Sequence, residues 1–98
     1  MNLLPGTQLL TTTDGPIGTS GKPIRVFSAA VLSDGTASTV ILRNGTSTGG
    51  SAYVQLDGVI NKLSTPFNAL HGVLFPAGCY ADVDAHSVGG YVSYTEEL

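Results

Sequence analysis

Cys79, Asp82, Asp84 and His86 fall within eight residues of one another, and thiols, carboxylates and imidazoles at close spacing are the side chains that hold divalent metals. The segment alternates small or apolar residues (Cys79, Ala81, Val83) with Tyr80, Asp82 and Asp84, which is the period of a β-strand. On a strand, Asp82, Asp84 and His86 share one face while Cys79 points to the other. Three ligands on a flat face make a poor zinc site, so the expectation is solvent-facing carboxylates beside a loop histidine, with no metal and no cofactor. Cys79, in an apolar strand without a basic neighbour, is expected to be a small buried hydrophobe.

Nucleophilic chemistry finds little more support. Serines are plentiful, but no Gly-x-Ser-x-Gly elbow occurs, and His71 has no carboxylate near it in sequence. The glycines at 15–21 and 45–50 lack phosphate-loop spacing, and Gly21-Lys22-Pro23 lacks the Ser or Thr that follows the lysine of such a loop. These glycines read as turns. Tyr53, Tyr80, Tyr91 and Tyr94 would stack on sugar rings if they met on one exposed face; tyrosines on strands more often pair across the sheet. Taken together, the residues point away from an enzyme.

The chain that would position these groups is small and poor in charge. Its 98 residues make one domain with one cysteine, so no disulfide can form within it. Charged residues are 11% of the total, against roughly 25% in an ordinary soluble domain. A thin core and few surface charges together imply that neighbouring subunits cover much of the surface. The net charge is −3, and Lys22, Arg25, Arg43 and Lys62 are scattered, which disfavours nucleic acid as a partner. No apolar run approaches the ~20 residues of a membrane span. The opening Met-Asn-Leu-Leu-Pro lacks the features of a signal peptide, so the expectation is assembly in a cytoplasm.

Two zones differ in texture. Residues 1–22 carry Pro5-Gly6, Asp14-Gly15-Pro16 and glycines at 18 and 21, which interrupt helix and ladder alike. Leu3, Leu4, Leu9, Leu10 and Ile17 in that zone nonetheless favour burial. The reading is an extended N-terminal arm whose aliphatic residues dock on a neighbouring subunit; the competing reading is a first strand folded back on its own domain. Residues 23–98 read as about six or seven short strands in an antiparallel β-sandwich or small barrel. The strands are 24–32, 37–43, 51–56, 72–75, 79–84 and 91–95, with turns at Ser33-Asp34-Gly35-Thr36, Asp57-Gly58 (leading into a further segment at 59–63), Pro76-Ala77-Gly78 and Gly89-Gly90. Their hairpin-length connections imply antiparallel pairing. Only 66–71 has room for a helical turn.

The phrases Asp34-Gly35-Thr36-Ala37-Ser38-Thr39-Val40-Ile41-Leu42-Arg43-Asn44-Gly45-Thr46 and Gly72-Val73-Leu74-Phe75-Pro76-Ala77-Gly78-Cys79-Tyr80-Ala81-Asp82-Val83-Asp84 resemble small virion proteins of tailed phages, the head decoration (cement) proteins especially. The resemblance covers about residues 24–95. It implies a β-sandwich or barrel that assembles as trimers or lattice units on the capsid surface, with the major capsid protein as its partner, and it brings no catalytic residues. The alternative it leaves open is a fibre, tail or neck component that binds glycans on a host surface.

Overall fold

The computed structural model describes residues 3–97, and the side chains of residues 5–97. Within that range the chain forms eight strands and no helix: β1 (Leu3–Leu9), β2 (Gly15–Ile17), β3 (Ile24–Ser33), β4 (Thr39–Asn44), β5 (Ser51–Asp57), β6 (Phe67–Phe75), β7 (Cys79–Val83) and β8 (Ser87–Glu97). They build two four-stranded antiparallel sheets, β1-β8-β3-β6 and β2-β7-β4-β5. The expected β-sandwich is therefore the fold.

The core follows from alternation. Ile24, Val26, Ala29, Val31 and Val92 project inward from one sheet; Val40, Leu42, Val54, Leu56, Cys79 and Ala81 meet them from the other. Outward positions such as Ile41, Arg43 and Gln55 are half-buried or exposed. Phe75, fully buried at the end of β6, stacks on Tyr53 of β5 with ring centroids 5.2 Å apart, joining the two sheets at one edge.

Four expectations change. Residues 3–22, the described part of the expected arm at 1–22, do not stand apart from the domain. β1 pairs with β8 along its whole length, from Leu3↔Glu97 to Leu9↔Tyr91, and β2 pairs with β7. Leu10 and Ile17 lie in the shared core, 4% and 1% exposed. Gln8 ties the two strands together, its amide nitrogen donating to the Pro16 carbonyl at 2.8 Å and its Oε1 accepting from Gly18 N–H at 2.9 Å. The backbone groups that Pro and Gly leave irregular thus find partners within the same chain, which recovers the ordering cost of the segment.

Residues 66–71 hold no helical turn, because Phe67 and Asn68 open β6 opposite Ala29 and Ser28. Gly89-Gly90 is not a turn either; β8 runs through it. Gly90 has φ +118°, and a Cβ there would strike the Ala30 carbonyl oxygen and the Val31 Cα, so the pair lets β8 approach β3 closely beside a register shift at Leu32/Ser33. Finally, only β4 and β5 form a hairpin within one sheet. The other short connections cross between sheets, so antiparallel pairing arises from arches more than from hairpins.

Candidate functional site

The residues with chemical potential are distributed among separate structural tasks. Asp82 lies on the outer face of its sheet and pairs with Arg43, Nε to Oδ2 at 2.9 Å. Asp84 caps the turn before β8: its Oδ1 accepts from the N–H groups of His86 and Ser87, and its Oδ2 accepts from Thr39 N–H. His86 sits 3.3 Å from Asp34, linking the β7–β8 turn to the β3–β4 turn. Among the described residues no three His, Cys, Asp or Glu side chains converge as a metal group would require. The Asp34 carboxyl is held below its usual range, chiefly by the Thr36 N–H it accepts, with burial opposing and His86 assisting.

Cys79 is buried, and desolvation pushes its thiol up to about 12, so its reactive thiolate is scarce at neutral pH. His71 is exposed on β6, where its backbone carbonyl accepts from Arg25. Ser33 and Ser38 share a buried hydrogen bond of 2.5 Å, and Ser64 Oγ accepts from Val31 N–H. The hydroxyl of Ser87 is buried with no partner among the described residues.

The tyrosines do not meet on one face. Tyr94 packs inward against the core, and Tyr53 is fixed against Phe75 at an edge. Tyr91 lies on the outer face of one sheet, opposite Leu9 and Ala30, while Tyr80 lies on the outer face of the other, opposite Arg43 and Pro16.

All four edge strands carry features that hinder further strand pairing. β1 contains Pro5, and β2 is three residues long and contains Pro16. β5 bulges at Tyr53, between the pairs Leu42↔Val54 and Arg43↔Ala52. In β6, residues 69–72 oppose the single residue Phe27 and loop out of the ladder. Among the described residues the N-terminal segment is already paired within its own chain, and these edge features disfavour strand addition.

Exposed apolar side chains gather instead at the end of the sandwich where β3 leaves and β8 enters. Leu32 opposes Gly89 of β8 and bridges to Leu63, and Val88 precedes Gly89. Val59 and Ile60 occupy the adjoining turn, which is pinned by Asn61 N–H to the Asp34 carbonyl. All five of these aliphatic residues are exposed. Of the five leucine and isoleucine residues expected to make neighbour contacts, Leu9 is exposed, whereas Leu10 and Ile17 belong to the core. The side chains of Leu3 and Leu4 lie outside the described residues. The end patch had one sequence signal: two β-branched residues, Val59-Ile60, sit where a turn after Asp57-Gly58 normally places polar ones.

No protein family and no curated protein matches the chain. A solved structure from Bacillus endospore appendages, described as a novel family of disulfide-linked pili, aligns with 97% of this chain and 82% of its own at 14% identity, with a TM-score of 0.46.

Proposed function

We propose that the chain is a non-enzymatic structural subunit of a tailed-phage virion, a decoration protein that binds the capsid surface and holds major capsid subunits together. The observation that carries this reading is the end patch of Leu32, Val59, Ile60, Leu63 and Val88, exposed on a chain with only 11% charged residues. An aliphatic cluster of this kind gains when a partner covers it, at ~25 cal/mol per Å2 of apolar surface removed from water. Its task would be mechanical, with many copies each adding a small surplus after ordering costs. The carboxylates, histidines and tyrosines that would serve a hydrolase, a metal site or a glycan platform are spread over the fold, which favours the structural reading over the host-binding one.

Co-sedimentation of the purified protein with capsids tests this. The wild type should pellet with capsids in hundreds of copies per particle. Ile60→Lys and Leu63→Lys, at exposed positions, should keep the fold and weaken binding about tenfold or more. A dozen or fewer copies per virion would place the protein in the tail or neck, and absence from virions would overturn the reading.

A further inference from the structure

Two features on opposite edges of the sandwich complement each other. The first is the loop of residues 69–72 in β6. Four residues face one on β3, so the strand bows outward, with Gly72 in the left-handed region at φ +75° packed over Arg25 and Phe27. Arg25 Nη1 donates to the His71 carbonyl at 3.2 Å and braces the loop. Leu70 stands on it 88% exposed, more than any other large apolar side chain in the described residues. A partner that covers Leu70 removes that apolar surface from water.

The second is an open cavity of about 270 Å3 between β1 and β2, floored by Leu10, Ile17 and Ala81 and walled by Leu9 and Pro16, with Asp14 at its rim. Gln8, Thr11 and Thr13 complete the lining, and the volume admits a leucine side chain over the apolar floor. The charges match as well. Arg25, beneath the loop, makes no ion pair among the described residues, and Asp14 keeps Oδ2 free while Oδ1 accepts from Val83 N–H. Because the strand order is β1-β8-β3-β6, loop and cavity lie on opposite edges and cannot meet within one molecule.

We propose that copies of this chain associate head to tail, with Leu70 of one seated in the β1–β2 cavity of the next and Arg25 facing Asp14 across the contact. A contact between two different patches repeats, closing into a ring or extending as a row according to the rotation between copies. This rests on the structural-subunit part of the reading above and does not depend on the capsid as partner.

Sedimentation velocity over a concentration series tests it on the full chain. The wild type should form concentration-dependent oligomers, and Leu70→Asp should weaken self-association about tenfold or more with an unchanged far-UV spectrum. Asp14→Arg and Arg25→Asp should each weaken it, and the two together should associate better than either alone, short of the wild type because the Arg25 brace on the His71 carbonyl and the Asp14 contact to Val83 N–H are lost. Under oxidation, a chain carrying both Thr13→Cys and His71→Cys, which keeps Leu70, should give a ladder of covalent oligomers, while each single variant stops at dimers. The proposal falls if the wild type stays monomeric at high concentration, if Leu70→Asp associates as the wild type does, or if the doubly substituted chain gives no ladder. Capsid co-sedimentation of Leu70→Asp reads the other proposal separately: a monomer that still pellets leaves capsid binding standing, and a wild-type oligomer that never pellets removes it.

Discussion

The carboxylate of Glu96 is buried, 5% exposed, and accepts two hydrogen bonds from Thr19, one from its backbone N–H at 2.5 Å and one from its hydroxyl at 2.8 Å. Glu96 lies one residue before the end of β8, on the inner face opposite Ile24, and Thr19 follows β2. The pair therefore fastens the exit of the first 22 residues to the last strand.

Removing that acceptor should be costly. Glu96→Ala leaves the Thr19 donors unmet in a partly buried site, and hydrogen bonds to a charged group are worth about 1.5–3 kcal/mol. Urea denaturation should show a loss of that order. Thr19→Val, which removes only the hydroxyl donor, should cost less, and the double variant should fall short of the sum.

Cys79 makes stability fall in alkali. Its folded pKa is raised from 9.0 to about 12 by desolvation, so the folded state holds a proton that the unfolded state releases. The contribution is fully present below pH 9 and is lost as pH rises toward about 12. At 1.36 kcal/mol per unit, the full span is on the order of 4 kcal/mol. Denaturation curves at pH 7 and pH 10.5 should diverge for the wild type more than for Cys79→Ala. Thiol reagents should modify the native protein far more slowly than the denatured one.

Deleting residues 1–22 should unfold the domain. The deletion removes β1, β2 and the core side chains of Leu10 and Ile17, each worth about 1.5–3 kcal/mol when buried. It also strips β8 of one pairing partner. Against a total stability of roughly 5–15 kcal/mol, that loss is decisive. Circular dichroism of the truncated chain should lack a cooperative thermal transition; retention of one near the wild-type midpoint would return these residues to the role of an arm.

Gly90→Ala should destabilise far more than Gly35→Ala. Position 90 combines φ +118° with a clash against the Ala30 carbonyl, whereas a Cβ at Gly35 meets nothing within 4 Å. A cost of about 1–3 kcal/mol for the strained backbone is the expected floor. Thermal unfolding of the two variants side by side checks this.

Local alternation was enough to read the sandwich. Val54 and Leu56 face the core, as their spacing from Tyr53 and Gln55 indicated, and Cys79 is buried on the face opposite to Asp82. The turn at Asp34-Gly35 is where its residues placed it, with Asp34 Oδ1 accepting from Thr36 N–H. These features depend on neighbours one to four residues apart, and such interactions are written in the chain order itself.

Partner choice was not legible, because it depends on residues far apart. Leu10 and Ile17 announced burial, but a segment broken by Pro and Gly looks the same whether it pairs with its own β8 or with another molecule. The register Leu3↔Glu97 joins the two ends of the chain and exists only once the sheet has formed. The same holds for Gly89-Gly90, which reads as a turn until β3 lies beside it, and for Leu70, whose exposure follows from the single residue Phe27 set against four. Sequence by itself determined which residues seek the interior and with what period; the tertiary structure decided which strands supply that interior, because backbone pairing between distant segments is settled by packing and carries no local signature.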